Sequence, residues 1–347
     1  MRNLTLKNSR KTVVIAALTA AGLGLAACNS EGADSSGSTA SSSATGSESA
    51  AANAEGTVTV EDNHGTQEIA VPAQRVASTD NRTFEVLDQW GVELVAAPKG
   101  LVPATVPDYK DNEDIADMGT HREPDLEALV AAQPDLIVNG QRFASQYEDI
   151  KKLNPDASII ELEPRDGEPF DEELRRQVLT LGEVFDKQDE AQQMVDDFDK
   201  ALERAKKAYN KDQTVMAVNV SGGEIGYVAP GVGRVWGPVF EWLDLTPALE
   251  IEGGSENHEG DDISVEAIAD SNPDWILALD RDAAISAGQE EGYRPAKDVL
   301  EDNAALKQVT ALKEGHLVFA PEDTYTNESI LTYTEILNQL ADAFEGK

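Results

Sequence analysis

Two arginines and two glutamates recur at matching places along this chain of 347 residues. Arg142 and Arg281 each follow a predicted strand, and Glu127 and Glu266 each stand near the start of the helix before that strand. Arginine has a permanent charge and five hydrogen-bond donors, which suit the binding of a multiply charged anion. Ligands of open α/β sheets bind beyond the carboxyl ends of the strands. We therefore expect both arginines in a cleft and both glutamates at the opposite ends of their units, towards the outer surface.

This recurrence is part of an internal repeat. Asp125–Leu129 corresponds to Ser264–Ile268, and each segment is followed by Pro-Asp, a strand and then the arginine, always with an offset of 139 residues. Three correspondences in one register indicate that the same helix–strand unit occurs twice. The sequence therefore predicts two related lobes.

Alternating helix and strand patterns define the lobes. A hairpin is predicted around Asn63-His64-Gly65, and strands are predicted at 75–78, 92–97, 136–139, 158–162, 215–220, 275–279 and 317–320. Helices are predicted at 84–90, 126–132, 147–153 and 330–344. Such alternation favours parallel sheets covered by helices. The predicted fold class is α/β, with two Rossmann-like lobes at 57–170 and 211–347 and a ligand cleft between them.

The segment 171–210 is predicted to be helical. Its apolar stripe at Ala191, Val195, Phe198 and Leu202 follows helical spacing, with charged residues opposite. A helix of about 20 residues spans roughly 30 Å. We expect one long α-helix here to join the lobes.

Composition excludes several classes of protein. With 28 Lys and Arg against 65 Asp and Glu, the formal net charge is −37, so we expect no nucleic-acid partner. One cysteine excludes a disulfide framework, and four histidines leave little room for a histidine metal cluster. The sequence contains no phosphate-loop, zinc-protease or nucleophile-elbow motif, so nothing in it supports an enzyme.

The N-terminus looks like a bacterial lipoprotein signal. Basic residues precede an apolar run at 13–27, which ends in Leu25-Ala26-Ala27-Cys28. We expect residues 1–27 to be removed and Cys28 to carry lipid, with 28–56 as a Ser-, Ala- and Gly-rich tether. The alternative is an ordinary secretory signal with a chance cysteine.

From about Cys28 onward the chain resembles the solute-binding lipoproteins of iron–siderophore and cobalamin ABC importers. It is most similar to the catecholate-siderophore branch at Ile137–Arg142, Gly231–Arg234, Leu279–Asp282 and Asp323–Glu328. The resemblance implies a monomer on the extracytoplasmic face of the membrane, without an intrinsic cofactor. It would capture a ferric siderophore and deliver it to the permease dimer and ATPase of an ABC importer.

The resemblance also implies a set of anion-binding residues. Arg142, Arg234 and Arg281 match the positions that hold a ferric catecholate, and Arg82, in the loop after the first strand of the lobe, is added as a fourth. The alternative for each arginine is an ion pair with one of the plentiful carboxylates.

Two further roles follow from the resemblance. His258 and Tyr325 match positions that can ligate Fe³⁺ when a four-coordinate siderophore leaves two positions open, although a solvated loop histidine and a rim aromatic are the alternatives. Glu127 and Glu266 match glutamates that dock on arginines of the permease. Their alternative role is to stabilise the first turns of their helices.

Other ligands and classes stay open. Haem would use His258 or Tyr325 axially without needing three arginines, and a corrinoid is a further possibility within the class. An extracellular hydrolase on this fold would need a nucleophile and a base that the sequence does not show. A manganese or zinc receptor would need more histidines than the chain offers.

Overall fold

The computed structural model describes residues 56–347. The predictions of a signal peptide at 1–27 and of a lipidated Cys28, and nearly all of the tether, therefore lie outside the described residues. Within 56–347, no helix has both the length and the apolarity needed to cross a membrane.

A β-hairpin opens the described part of the chain, as its alternating pattern predicted. β1 (Gly56–Asp62) and β2 (Gly65–Val71) pair antiparallel. The backbone N–H of Asn63, at the tip, donates to the carbonyl of Glu161 at 2.9 Å, and its side-chain amide donates to the carbonyl of Glu163 at 2.8 Å. The hairpin is thereby fastened to the first lobe.

The first lobe is built on a parallel sheet, as predicted. Its strands are β3 (Val76–Ser78), β4 (Leu94–Ala97), β5 (Ala116–Asp117), β6 (Gly119–Thr120), β7 (Glu123–Pro124), β8 (Leu136–Asn139) and β9 (Ser158–Glu161). Its helices are α1 (Phe84–Gln89), α2 (Pro107–Lys110), α3 (Leu126–Ala132) and α4 (Tyr147–Leu153). The sheet order is β5-β4-β3-β8-β9 with every pair parallel, and β6 and β7 form a separate antiparallel pair.

Two helices follow where the sequence predicted one continuous helical segment. They are α5 (Phe170–Phe185) and α6 (Gln188–Ala208), separated at Asp186, whose φ is 55°. A Cβ on Gly182 would lie only 2.6 Å from the Cβ of Ala191. This close approach turns α6 back against α5, and the 21 residues of α6 match the length predicted for the joining helix.

The second lobe carries a mixed sheet. Its strands are β10 (Thr214–Ser221), β11 (Glu224–Tyr227), β12 (Thr246–Pro247), β13 (Asp261–Asp262), β14 (Trp275–Asp280) and β15 (Leu317–Phe319). Its helices are α7 (Trp236–Leu243), α8 (Val265–Ser271), α9 (Ala296–Glu301), α10 (Thr310–Glu314) and α11 (Ile330–Phe344). The order is β13-β11-β10-β14-β15, with β12 beside β10, and the sequence did not predict that β11 and β13 run antiparallel to their neighbours.

The repeat is visible in the pairing of the central strands. Val76 pairs with Leu136 in the first lobe, and Val215 pairs with Trp275 in the second. Both residues of the second pair lie 139 positions after those of the first, which is the offset of the sequence repeat. The carboxyl ends of β8 and β14 therefore occupy equivalent places.

Side chains at the ends of α3 and α8 also correspond. The side chain of Asp125 accepts the N–H of Ala128 at 2.9 Å, and that of Ser264 accepts the N–H of Ala267 at 3.1 Å. Each residue is the N-cap of its helix. α3 and α8 consequently begin at equivalent residues, and Glu127 and Glu266 are each the second residue of their helix.

A single buried apolar cluster extends through both lobes. It contains Val76 and Val138 of the first sheet, Phe198 of α6, and Leu277 of the second sheet. Smaller clusters cover the opposite face of each sheet. The lobes therefore share a core formed around α5, α6 and α11, in addition to the predicted link through one long helix.

We expect Gly182→Ala to lower the free energy of unfolding by about 1–3 kcal/mol through overpacking, although alanine normally favours a helix by about 1 kcal/mol relative to glycine. The reason is the distance of 2.6 Å between the added methyl group and the Cβ of Ala191. Urea unfolding followed by circular dichroism measures the change. Adding Ala191→Gly should recover part of the loss, and a single variant as stable as the parent would contradict the packing.

Candidate functional site

Tyr325 lies at the centre of the predicted arginine cluster. It is 7% exposed, and the guanidinium carbons of Arg142, Arg234 and Arg281 lie 5.4, 5.1 and 5.0 Å from the centroid of its ring. A guanidinium at this distance is attracted by the electron-rich ring. The structure thus brings three predicted arginines and the predicted tyrosine together. Arg142 comes from the first lobe, and the others come from the second.

Arg142 is placed by the end of β8. The strand ends at Asn139, and Gly140 leads into a short 3₁₀ turn that carries Arg142. A Cβ on Gly140 would lie 2.5 Å from Oδ2 of the buried Asp80. Glycine is therefore needed here because the Asp80 carboxyl occupies the space that a side chain would fill.

Arg281 is placed in the same way by β14, which ends at Asp280. Its Nη1 donates to the Oγ of Ser221 at 3.0 Å, and Ser221 is the last residue of β10. Arg142 and Arg281 thus occupy the equivalent positions that the repeat predicted, at the carboxyl ends of their sheets.

Arg234 precedes a strained turn at the start of α7. Val235 has φ 65° and ψ −65°, and the N–H of Trp236 donates to the carbonyl of Arg234 at 2.8 Å. This is a γ-turn with positive φ, and for a β-branched residue such strain costs about 1–3 kcal/mol. Backbone strain is therefore stored directly beside a site residue.

His258 contacts both the tyrosine and one arginine. Its ring lies edge-on to Tyr325, with 6.1 Å between centroids, and its Nδ1 lies 2.9 Å from Nη1 of Arg234. A guanidinium can only donate, so Nδ1 accepts and the neutral ring carries its proton on Nε2. Burial lowers the pKa of His258, and the charges of Arg234, Arg142 and Arg281 lower it further.

The loop that carries His258 depends on Gly226 in β11. A Cβ on Gly226 would lie 2.0 Å from the carbonyl oxygen of Glu259. The amide of Asn219 donates to the carbonyl of His258 at 3.3 Å. The antiparallel edge that the sequence did not predict is therefore what positions this histidine.

The same arginines change the acidity of Tyr325. Burial acts to raise its pKa, but a hydrogen bond from Arg281 and the charges of Arg281, Arg234 and Arg142 outweigh burial, so the pKa lies below the ordinary value. Because the phenolate is stabilised, the phenolic oxygen of Tyr325 is a better ligand for a hard cation.

Glu328 is a site residue that the sequence did not reveal. Its side chain is 5% exposed; Oε1 accepts from Nη2 of Arg234, and Oε2 accepts from Nη2 of Arg82 at 3.2 Å. Burial acts to raise the pKa of Glu328, and the two arginines outweigh it and hold the pKa below its usual value. A charged carboxylate therefore lies directly behind the cluster.

Arg82 lines the cleft and is paired with two carboxylates. It is 7% exposed, and its guanidinium pairs with Glu163 at 3.1 Å as well as with Glu328. The structure thus shows the alternative weighed for this residue, an ion pair with carboxylates. Arg234 pairs with the same Glu328, so these ion pairs do not separate the two arginines, and the ligand-binding role of Arg82 stays a prediction.

The two lobes enclose a cleft of about 660 Å³ beside the cluster. Its lining includes Arg82, Glu163 and Phe170 from the first lobe and Val232, Arg234 and His258 from the second. Within residues 56–347, no group of three or more His, Cys, Asp or Glu side chains is arranged to hold a metal ion. Glu127 and Glu266 are exposed on α3 and α8 and do not line this cleft.

Known proteins share this architecture. A family model described as periplasmic binding protein matches residues 76–324. The ferric-anguibactin-binding protein FatB of Vibrio anguillarum is 30% identical over 293 residues, which are 83% of this chain and 88% of that protein. The petrobactin-binding protein YclQ of Bacillus subtilis is 25% identical over 289 residues, which are 82% of this chain and 86% of that protein.

A solved structure is similar over the same part of the chain. The siderophore-binding protein BauB, bound to a complex between two molecules of acinetobactin and ferric iron, aligns with a TM-score of 0.70 and 25% identity. The alignment covers 84% of this chain and all of that one. Together with the two-lobed fold and its interlobe cleft, these matches show that the chain belongs to the periplasmic binding protein family.

Proposed function

We propose that this protein is an extracytoplasmic receptor that captures a ferric siderophore, with the catecholate type favoured, and delivers it to an ABC importer. The observation that carries the proposal is the convergence of three guanidinium groups on Tyr325. Ferric catecholates are compact complexes with up to three negative charges. Fixed cations in a partly dry cleft match that charge.

The relatives support the ligand class without naming one ligand. FatB is named for ferric anguibactin and YclQ for petrobactin, and BauB was solved with ferric acinetobactin. The three relatives are associated with three different siderophores, which supports a ferric siderophore as the class of ligand. The preference for a catecholate rests on the arginine cluster of this chain, which also favours a compact anion over haem or a corrinoid.

A binding role accounts for the site better than catalysis. The relatives are named as binding proteins, and the residues around Tyr325 are cationic donors with no paired nucleophile and base. An extracellular hydrolase, the alternative from a different class, would need a nucleophile and a base that the sequence does not show.

The sequence supports attachment to the membrane through lipid on Cys28, which follows the apolar run and precedes the Ser-rich tether. A monomer held in this way would meet the permease dimer and its ATPase at the membrane surface. The extracytoplasmic location is consistent with the family to which the chain belongs.

For a siderophore that occupies four positions of Fe³⁺, we propose that the protein completes the coordination. Tyr325 would supply a phenolate oxygen, which suits a hard cation and is favoured by its lowered pKa. His258, whose ring faces Tyr325 edge-on, would supply the second donor after Arg234 releases its Nδ1.

Docking is proposed for the outer surface. Glu127 and Glu266 are exposed in the first turns of α3 and α8, which begin with equivalent N-caps. A permease dimer with two basic patches could bind both glutamates at once, and two linked contacts strengthen each other.

Single substitutions Arg142→Ala, Arg234→Ala and Arg281→Ala should each weaken the binding of a ferric catecholate by about 2–5 kcal/mol, because each removes a charged donor from a desolvated anion. Tryptophan quenching measures the affinity. Arg294→Ala is the matched control, since that arginine is 51% exposed and pairs with Asp302. Titrations with ferric hydroxamate, haem and cobalamin test the ligand class, and undiminished binding in all three variants would refute the cluster.

A tetradentate ferric catecholate should change its charge-transfer absorption on binding, and Tyr325→Phe should abolish that change because it removes the phenolate. His258→Ala should lower the affinity for the same complex. In a hexadentate complex the siderophore already fills all six positions of the iron, so its absorption spectrum should hardly change with either substitution. If both variants leave the tetradentate spectrum and affinity as they are, the protein does not touch iron.

The double reversal Glu127→Arg with Glu266→Arg should abolish siderophore uptake and stimulation of the importer's ATPase while leaving ligand affinity and melting temperature nearly intact. Loss of a first-turn charge alone costs about 0.3–1 kcal/mol per helix. A reversal of Glu148 and Glu301, which are also exposed on helices of the two lobes, is the control. Normal uptake with the first double variant would show that the importer recognises another surface.

A further inference from the structure

A chain of three side chains connects the buried carboxylate to the histidine. Glu328 contacts Nη2 of Arg234, and Nη1 of the same guanidinium contacts Nδ1 of His258 at 2.9 Å. Glu328 is itself held from the other side by Arg82 at 3.2 Å. The plane of Arg234 is therefore fixed at both of its terminal nitrogens.

This arrangement determines what His258 can offer to a ligand. Imidazole binds a metal only through a nitrogen with a free lone pair. The Nδ1 lone pair already accepts from Arg234, and the neutral ring then carries a proton on Nε2. In this state His258 can donate a hydrogen bond to an anion, and it can ligate iron only after Arg234 has moved away.

We propose that Glu328 is a positioning residue that selects the class of siderophore: by holding Arg234 on His258, it favours the histidine as a hydrogen-bond donor and makes its ligation of iron less favourable. The inference rests on the proposed function. The consequence is that the protein should prefer hexadentate over tetradentate complexes. A hexadentate complex needs only hydrogen-bond donors to its anionic oxygens, whereas a tetradentate complex needs the histidine as an iron ligand.

The cost of burying Glu328 supports a role beyond stability. A buried ion pair is often no more stabilising than well-packed apolar side chains, because both charges lose their hydration. The side chain of Glu328 is 5% exposed and forms ion pairs with two arginines from different lobes. Its second partner, Arg82, therefore prevents Glu328 from following Arg234 when Arg234 is drawn towards a ligand.

Glu163 provides a matched control. It also pairs with Arg82, at 3.1 Å, but it is 28% exposed and its pairing lies within the first lobe. Glu163→Gln therefore removes one carboxylate from Arg82 without touching the contact between Glu328 and Arg234. Any effect specific to Glu328→Gln can then be assigned to the position of Arg234.

The first test uses the full chain without ligand. The protein has four histidines, so a long-range ¹H–¹⁵N spectrum at pH 8, assigned with His258→Gln, reports the tautomer of His258. We expect no detectable Nδ1–H form in the parent or in Glu163→Gln. In Glu328→Gln this form should rise towards the fraction found in a histidine peptide. A peptide-like fraction in the parent, or no response to Glu328→Gln, would overturn the proposal.

The second test compares affinities for one hexadentate and one tetradentate ferric catecholate. Glu328→Gln should shift the ratio of the two dissociation constants by about tenfold towards the tetradentate complex, and Glu163→Gln should leave the ratio unchanged. An unchanged ratio in Glu328→Gln would refute the selection. If Glu328→Gln does not fold, Glu328→Asp, whose side chain is one methylene shorter, replaces it in both tests. If the parent binds neither complex, the proposed function fails and the ligand-free spectra alone decide the role of Glu328.

Discussion

Four guanidinium groups lie around Tyr325 and Glu328, and their mutual repulsion is the constraint on which the rest of the site depends. Two like charges about 6 Å apart repel by about 3 kcal/mol at an effective dielectric constant of about 20. Glu328 and Glu163 compensate Arg82, Glu328 also compensates Arg234, and the electron-rich ring of Tyr325 faces the other cations. This arrangement leaves net positive charge for an anion only where the three arginines meet. Arg142 and the other two arginines of the cluster come from different lobes, and those lobes share one apolar core.

Much of the fold could be predicted because local signals and burial agree. α3 and β8, and likewise α8 and β14, have a capping residue, apolar periodicity and a Pro-Asp boundary, and the bounds predicted for α3, β8 and β14 match the structure closely. The break between α5 and α6 could not be predicted from periodicity. It depends on tertiary contact between Gly182 and Ala191 and on the left-handed Asp186, and no proline marks it. The antiparallel β11 and β13 are short and carry little apolar patterning of their own.

The site residues likewise divide into those that local sequence signals predict and those that they do not. Arg142 and Arg281 could be predicted because each directly follows a strand, and the carboxyl ends of strands converge by topology. Arg234, His258 and Tyr325 came from family resemblance, since they lie on irregular segments whose course depends on turns and close backbone approaches. Glu328 was not recognised because it is one of 65 acidic residues, and no sequence spacing distinguishes a buried carboxylate from an exposed one. The ion pairs of Arg82 could not be predicted for the same reason, because its carboxylate partners lie 81 and 246 residues away along the chain.

The γ-turn at Val235 sets the stability of the fold against the placement of Arg234. A non-glycine residue with φ 65° stores strain beside Arg234, and about 1–3 kcal/mol is a sizeable fraction of a typical total stability of about 5–15 kcal/mol. Glycine would adopt a positive φ here without the steric strain that valine carries. Val235 is therefore a position at which a gain in the free energy of unfolding is bought by altering the turn that presents Arg234.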